Sequence, residues 1–457
     1  MITSLKAAAD AMGAQFEGTD QPFVAPRTDS RAVAQGDLFF AMRGEAMDGH
    51  LFVATALEAG AAAVVVDHDI SVQVPAAIGR QLVVKDTRLA LGLLGGSVRQ
   101  QWGGSLSAVT GNSGKTTVKE MIKAILEEAS SEEQVVATHG NLNSYVGVPL
   151  TLCRLQAQHQ WGVVELGANH VGEISWTAPL VQPQVAVITN VTGAHMGEFG
   201  GLARIAQAKA EILSGLAEGG IAVLNRDDTF YPLWRRLAIL RGGEECIRDF
   251  GISSAAYAHP RNVGHDAHGR YHFELQLGDA DAGTVSLALL GEHNVRNALA
   301  AAAATSALGV APNVIVRGLE RVASVGGRMA LRRGKCARTL LDDTYNANPG
   351  AFRAALETLA LQPGPRWCLL GAMGELGEQS AAQHAAIGHY AKALGIDGLI
   401  AYGESATAAA HAFGGECFDD WEAFLAAADE KLPANASVLI KGSRSTLMER
   451  AVEHFAE

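Results

Sequence analysis

The amino-acid sequence predicts an α/β protein with several parallel sheets. Short β-branched runs alternate with helical patterns along nearly all of its 457 residues. Continuously apolar strands separated by helices are typical of parallel sheets that helices cover on both faces. The length exceeds one ordinary core, so it indicates two to four domains. The strand candidates are Ala62–Val66, Leu82–Val84, Leu106–Val109, Val163–Leu166, Val185–Thr189, Ile221–Leu224, Cys368–Leu370, Leu399–Tyr402 and Val438–Ile440.

The composition narrows the classes of partner and compartment. Hydrophobic residues are 48% and charged residues 18%, a globular balance that argues against disorder. The formal net charge is −12 and the lysines and arginines form no long clustered runs, which argues against a nucleic-acid partner. Five scattered cysteines indicate a reducing compartment, and Met1–Phe16 carries no apolar stretch of a signal peptide. We therefore expect a cytoplasmic protein without membrane insertion.

Pattern changes along the chain suggest three domains, at 1–84, 85–325 and 326–457. The first segment has its own strand and turn signals. Between Arg241 and Leu290 the pattern becomes polar and alternating, which predicts an antiparallel excursion, and an Ala-rich helix follows from Asn297 to Val310. Val325–Arg328 contains two glycines and offers a flexible joint before the last α/β block.

The sharpest motif is a glycine-rich loop that follows the strand Leu106–Val109 and opens a helix. Its glycines let backbone N–H groups curl around phosphate oxygens, Lys115 adds positive charge, and a threonine hydroxyl can hold Mg²⁺. Only two residues separate its glycines where the general pattern has four, so the alternative is a simple turn before a lysine. Agreement of strand, loop and helix favours a nucleoside triphosphate site. The loop is Thr110, Gly111, Asn112, Ser113, Gly114, Lys115, Thr116 and Thr117.

Three residues downstream of the loop are candidates for a metal-centred cluster. Glu165 is a carboxylate inside an apolar strand, which requires a cation or a strong donor, and a structural ion pair is the alternative. His195 follows the strand Val185–Thr189 near the edge where such sheets bind ligands, although a lone histidine is often structural. Lys209 lies on a predicted helix, where a solvated lysine is the simplest interpretation.

The order of these residues resembles that of the Mur ligases over essentially the whole chain. The matching motifs are Thr110–Thr117, Glu165, His195, Lys209, Gly291–Ala298 and Asp343–Pro349, with further pointers at Thr28–Arg31, Gly36–Phe39, Asp48–His50, Gly140–Asn143 and Lys441–Arg444. The resemblance implies an N-terminal α/β domain for a UDP sugar, a central ATP-binding domain with a parallel sheet, and a C-terminal Rossmann-like domain that closes over the site.

The resemblance also implies roles around the nucleotide. Thr116 and Glu165 would hold one Mg²⁺, and His195 with Glu165 would help to hold a second, together with Lys209 carrying a carbamate. A carbamate replaces a cation with an anion whose oxygens a divalent metal accepts. Catalysis would involve Lys115, Lys209, His195 and Arg328, and further nucleotide contacts would come from Asn294, Asn297, Asp343 and Tyr345. Without the resemblance, a helix cap for Asn294 and a solvated Arg328 would be the simpler interpretations.

The implied activity is amide-bond formation through an acyl phosphate in peptidoglycan synthesis. The implied partners are ATP, UDP-N-acetylmuramoyl-tripeptide and D-alanyl-D-alanine, bound by a monomer. After the strand Val438–Ile440, Arg444 lies in a segment that resembles an anion-binding turn. Its binding of the dipeptide carboxylate is a hypothesis, and a surface arginine is the alternative. Substrate-binding candidates are Ser30, Arg31, Asp48, Gly49, His50, Asn141, Asn143 and Arg444.

Two positions depart from the family pattern. Ser144 stands where a second asparagine is usual, and Ala372 stands where an aspartate usually precedes Met373, so no catalytic acid is expected there. Two alternatives stay open at this point. One is a sister ligase, which adds a single amino acid or acts as a folylpolyglutamate synthase, and the other is a non-catalytic nucleotide-binding module.

Overall fold

The computed structural model describes residues 2–44, 47–192, 199–324 and 326–457. Three sheets follow one another along the chain, each flanked by helices, which confirms the predicted α/β class. Most neighbouring strands are parallel, as the continuously apolar runs indicated. No helix in these ranges combines the length and apolarity that crossing a bilayer requires.

The first sheet is small and fully parallel, in the order β1-β2-β3-β4. Its strands are β1 Pro26–Arg27, β2 Leu38–Phe40, β3 Ala63–Val66 and β4 Gln81–Val83, and its helices are α1 Leu5–Met12, α2 Val53–Glu58 and α3 Thr87–Gln101. Helix α3 begins after Asp86, whose side chain accepts hydrogen bonds from two backbone N–H groups. Leu91 and Leu94 of α3 pack on the first sheet, whereas Val98 packs on the next one, so α3 joins the two cores.

The central sheet has the order β13-β12-β11-β10-β9-β8-β5-β7-β6. The strands are β5 Ser105–Thr110, β6 Val135–Ala137, β7 Trp161–Glu165, β8 Val185–Ile188, β9 Ile221–Asn225, β10 Ile247–Phe250, β11 Ala258–His265, β12 Arg270–Leu277 and β13 Ala280–Leu290. Strands β11, β12 and β13 pair antiparallel, which confirms the predicted excursion.

Helices cover both faces of the central sheet. They are α4 Lys115–Ala129, α5 Gly147–Leu152, α6 Glu173–Val181, α7 Leu202–Ala210, α8 Tyr231–Gly242, α9 His293–Ala307 and α10 Pro312–Glu320. Helices α4, α9 and α10 form one apolar core with the sheet, and α3, α6, α7 and α8 form the core on the opposite face. The Ala-rich helix begins at His293 rather than at the predicted Asn297, because its first turn buries polar side chains that read as loop in the sequence.

The third sheet has the order β14-β15-β19-β16-β17-β18, with only β14 antiparallel to its neighbour. The strands are β14 Ala330–Gly334, β15 Arg338–Asp343, β16 Arg366–Gly371, β17 Gly398–Tyr402, β18 Glu416–Phe418 and β19 Ser437–Lys441, and the helices are α11 Pro349–Ala360, α12 Ser380–Ala393, α13 Thr407–Phe413, α14 Trp421–Lys431 and α15 Glu449–Phe455. The predicted joint precedes β14; its first residue, Val325, lies outside the described residues.

Candidate functional site

The glycine-rich loop connects β5 to the first turn of α4. Gly111 has a φ of +143° and Gly114 a φ of +81°, conformations that L side chains rarely adopt. A Cβ on Gly111 would lie 1.9 Å from Thr189 Oγ1, and a Cβ on Gly114 would lie 2.5 Å from Asn297 Oδ1. Lys115 Nζ donates to the carbonyl oxygens of Gly111 (2.8 Å) and Asn112 (3.1 Å), so it folds back over the loop. The loop residues, including the cation of Lys115, line one small space.

The end of strand β8 holds this loop in place. Asn190 accepts a hydrogen bond from the N–H of Asn112 at its carbonyl (3.0 Å) and one from the N–H of Ser113 at its side chain (3.0 Å). Thr189 Oγ1 donates to the Ser113 carbonyl (2.7 Å). The sequence analysis did not select Thr189 or Asn190 as site residues, although their position at the carboxyl end of a parallel strand could have indicated them. Thr110 has a structural contact, donating to the Leu166 carbonyl (2.7 Å).

A hydrogen-bonded chain connects the loop to the buried carboxylate of β7. Glu165 is 2% exposed, and its Oε2 accepts from Thr116 Oγ1 at 2.8 Å. Its Oε1 accepts from Asn143 Nδ2 at 2.8 Å, and its backbone N–H donates to Thr138 Oγ1 at 2.9 Å. Among the described residues Glu165 forms no ion pair, and its two carboxylate oxygens accept hydrogen bonds from a hydroxyl and an amide. The carboxylate instead faces neutral donors beside the loop.

Lys209 lies at the end of α7 and is 2% exposed, so the solvated-lysine interpretation is wrong. Burial, reinforced by repulsion from Lys115, lowers the pKa of the Lys209 ammonium to about 7. Its Nζ donates to the Ala168 carbonyl at 3.2 Å, and it lines the same cavity as Glu165. A side chain with this pKa is available as a neutral amine near neutral pH. The other predicted member of the cluster, His195, lies outside the described residues.

Helix α9 supplies the opposite wall of the loop. Asn294 Nδ2 donates to the Leu290 carbonyl (2.8 Å), and Asn297 Nδ2 donates to Asn294 Oδ1 (2.9 Å). Asn294 lies inside the helix, where it does not cap the N-terminus, so the helix-cap interpretation is wrong. Both asparagines line the cavity, as does the half-buried His293, whose imidazole has a lowered pKa because of desolvation.

Residues after the joint reach across to the loop. Arg328 Nη2 donates to Thr116 Oγ1 at 3.0 Å, and its guanidinium lies 4.0 Å from the centroid of the Tyr345 ring. The solvated interpretation of Arg328 is therefore wrong. Asn348 Nδ2 donates to Ser113 Oγ at 3.2 Å. These two contacts bring the third sheet's domain against the phosphate-loop candidate.

Asp343 and the buried Lys441 form an ion pair at the carboxyl ends of two neighbouring strands. The two residues are partners in the register of β15 and β19, and Lys441 Nζ donates to Asp343 Oδ2 at 2.6 Å. Asp343 Oδ1 accepts from the N–H of Met329, next to Arg328. The motif Lys441–Arg444 was noticed in the sequence, but Lys441 itself was not selected as a site residue.

Two adjoining cavities result. The first, of about 480 Å³, is lined by Gly111–Thr117, Glu165, Lys209, Asn294, Asn297, Arg328, Asp343 and Tyr345. The second, of about 780 Å³, contains Asn141 and Arg444 in its lining, whereas Asn143 lines the first. Arg444 has a side chain 66% exposed and donates to Glu449 Oε1 at 2.8 Å. The structure thus brings the nucleotide candidates of two domains together.

The candidates in the first domain lie outside the linings of both cavities. Arg31, with a side chain 88% exposed, pairs with Asp29 two residues before it, and Ser30 lies in the same short turn. Asp48 accepts from the N–H of His50 and contacts its Nδ1 at 2.6 Å, while His50 Nε2 accepts from the N–H of Asp67. Gly49 lies between them. These contacts order the turn, and the role of these five residues in substrate binding stays a prediction.

The chain is similar to known proteins over nearly its whole length. Three family models match: the Mur ligase family, catalytic domain at residues 27–98, the Mur ligase middle domain at 109–305, and the Mur ligase, glutamate ligase domain at 327–444. The UDP-N-acetylmuramoyl-tripeptide–D-alanyl-D-alanine ligase of Escherichia coli strain K12 is 39% identical, covering 98% of this chain and 97% of that protein.

Solved structures give the same picture. MurF from Acinetobacter baumannii superposes with a TM-score of 0.88 and 36% identity, covering 98% of this chain and 97% of that one. MurF ligase from Thermotoga maritima in complex with ADP superposes with a TM-score of 0.82 and 29% identity, covering 94% and 96%. The three-domain architecture therefore extends over nearly the full length of both.

Proposed function

This chain belongs to the Mur ligase family, and we propose that it joins D-alanyl-D-alanine to UDP-N-acetylmuramoyl-tripeptide with ATP as co-substrate. The products are UDP-N-acetylmuramoyl-pentapeptide, ADP and phosphate. The name of the Escherichia coli relative describes this ligation, and the Thermotoga maritima relative is a MurF ligase in complex with ADP. The reaction is a step of peptidoglycan synthesis. An enzyme of this kind serves cell-wall growth and, through it, cell shape and division.

One observation carries the proposal: the cation of Arg328, from the domain of the third sheet, meets the glycine-lysine loop at Thr116. A carboxylate is a poor electrophile, so the terminal carboxylate of the peptide first attacks the γ-phosphorus of ATP, and ADP leaves. The amine of the dipeptide then attacks the acyl carbon, the C–N bond forms, and the C–O bond to phosphate breaks. Lys115 and Arg328 neutralise the charge on the transferring phosphoryl group, as positioned cations do in phosphoryl transfer.

The residues at the loop fit a magnesium ion. Thr116 Oγ1 and the Glu165 carboxylate are hard oxygen donors beside the place where the phosphates would lie, which is the donor type that Mg²⁺ prefers. When bound, the ion screens the repulsion between two anions, the peptide carboxylate and ATP. Asn143 keeps the carboxylate oriented through its amide.

Lys209 is the proposed site of a carbamate. Its burial and its lowered pKa make the neutral amine available to react with CO₂. The resulting anion would exchange an unfavourable buried cation for an oxygen ligand toward a second metal ion, with His195 and Glu165 as its companions. Carbon-13 NMR of protein equilibrated with labelled CO₂ tests this. A carbamate signal that is absent from a Lys209→Met variant supports the proposal, and identical spectra of the two proteins would overturn it.

Each of the three domains binds a different substrate in this proposal. We assign the UDP substrate to residues 1–84, with Ser30, Arg31 and Asp48–His50 as its contacts, and ATP to residues 85–325. Residues 326–457 form the ligase domain for the dipeptide, where Arg444 binds the carboxylate. Asn141 and Asn143 contact the muramoyl peptide where it lies between the UDP-binding domain and the ligase domain. All five cysteines are free thiols, which supports a cytoplasmic location, and we propose a monomer.

Phosphate release provides the test. The protein should release phosphate from ATP with UDP-N-acetylmuramoyl-tripeptide and D-alanyl-D-alanine together, and only slowly when the dipeptide is omitted. Single amino acids and folate substrates serve as the acceptors of the sister ligases. If one of those, rather than the dipeptide, accelerated phosphate release, the assignment would be wrong. Nucleotide binding without turnover on any acceptor would favour the non-catalytic module.

A further inference from the structure

Four described residues line both cavities: Thr116, Glu120, Arg328 and Tyr345. Glu120 is the only carboxylate among them. We propose that Glu120 binds the ammonium group of the incoming dipeptide, which makes it a determinant of amine recognition. This inference rests on the proposed function, because it deepens the assignment of the second cavity to the dipeptide.

The position of Glu120 follows from the helix that the loop opens. Glu120 comes four residues after Thr116 in α4, so the two side chains are neighbours on one helical face, about 5–6 Å apart at Cβ. Thr116 contacts Arg328, the residue assigned to the transferring phosphoryl group. The carboxylate therefore lies one helical turn from the place where the acyl phosphate forms, on the side that opens into the second cavity.

A buried lysine fixes one oxygen of this carboxylate. Lys119 Nζ donates to Glu120 Oε1 and to the Thr138 carbonyl (3.0 Å), and the Lys119 side chain is buried. Glu120 has a side chain 28% exposed, and its Oε2 has no hydrogen-bond partner among the residues that the structure describes. The carboxylate is thus held at one oxygen and free at the other, the arrangement expected of a group that binds a ligand.

The lining of the second cavity carries charges of both signs, as the binding of a dipolar dipeptide requires. Lys115 and Arg328 make the neighbourhood of the phosphates cationic, so the ammonium group of an arriving dipeptide needs an anion beside it to bind there, before it loses a proton to solvent and attacks as the neutral amine. Glu120 supplies one, and Arg444 in the same lining supplies a cation for the carboxylate at the other end. D-alanyl-D-alanine carries an ammonium group and a carboxylate, so it can pair with Glu120 and Arg444 at the same time.

Glu120→Gln tests the assignment, because it keeps the size and removes the charge. We expect the KM for D-alanyl-D-alanine to rise about tenfold or more, as the loss of a charge-assisted hydrogen bond implies. Acyl phosphate formation without the dipeptide, measured by positional isotope exchange in ATP, should stay within about twofold of wild type, since Glu120 is assigned only to the amine. Glu132→Gln, in the same cavity lining but an exposed residue beyond the helix, is the matched control.

A ligand analogue separates ammonium binding from a structural role. Its amine is replaced by a hydroxyl, and it is measured as a competitive inhibitor of the dipeptide. Wild type should prefer the dipeptide over this analogue, and Glu120→Gln should lose that preference, whereas Glu120→Asp should retain part of it. An equal loss for both ligands, an unchanged KM for the dipeptide, or a change confined to ATP would each overturn the inference. If wild type shows no dipeptide-dependent phosphate release, the proposed function fails, irrespective of the variants.

Discussion

Replacing Gly114 with alanine should weaken ATP binding, because the loop cannot accept a Cβ at this position. The residue has a φ of +81°, where a side chain costs about 1–2 kcal/mol. The new Cβ would also lie 2.5 Å from Asn297 Oδ1, so the asparagine must move. Its hydrogen bond to Asn294 would then be lost, at a further cost of about 0.5–1.5 kcal/mol. The backbone N–H groups and the asparagine pair would both leave their positions.

The two effects are separable with a second glycine. Gly219 has a φ of +69° and nothing within 4 Å of its Cβ position, and it lies outside both cavities, so Gly219→Ala carries the conformational cost alone. Isothermal titration calorimetry should show ATP affinity about tenfold or more weaker in Gly114→Ala and unchanged in Gly219→Ala, since about 1.4 kcal/mol corresponds to a factor of ten. Equal ATP affinities for the two variants would refute the packing argument.

Three further variants or conditions test the remaining roles. Arg328→Ala should lower kcat about 100-fold or more while ATP affinity changes little, because the guanidinium stabilises the transferring phosphoryl group. Arg332→Ala, outside both cavities, is the control, and unchanged turnover of Arg328→Ala would refute this role. The carbamate signal of Lys209 should decline as the pH falls below 7, since its amine protonates with a pKa of about 7, and a pH-independent signal would contradict the assignment. Arg444→Ala should weaken dipeptide binding and Arg450→Ala should not; equal binding by both would remove Arg444 from the site.

Most strands that the sequence predicted are continuously apolar runs, because burial on both faces leaves a strong pattern. Strand β1 has only two residues, and β18 has three that begin with an exposed glutamate, so neither forms an apolar run. Strand β15 was missed for another reason: two aspartates and an arginine at its ends mask an apolar centre. The start of α9 was missed because its polar first turn faces a cavity rather than solvent, which only the tertiary structure reveals.

Within the site, local motifs could be predicted and contacts between distant segments could not. The phosphate loop and Glu165 were indicated by residue type in an unusual place, whereas Arg328 was indicated only by the resemblance to the Mur ligases. Asn190 accepts a hydrogen bond from Ser113, which lies 77 positions earlier in the chain, and nothing in either local sequence indicates the other. Lys441 likewise depends on the register of β19 beside β15. His195 keeps its status as a prediction, because it lies outside the described residues.

The Thr116 hydroxyl is shared by two domains, donating to Glu165 and accepting from Arg328. A ligand that binds this oxygen displaces Arg328 from its contact with Thr116. The released guanidinium stays close to the loop because the Tyr345 ring stacks against it. The nearest new anion would be the terminal phosphoryl group of the nucleotide. The Thr116 hydroxyl thereby keeps Arg328 beside the site of the terminal phosphoryl group until the nucleotide binds.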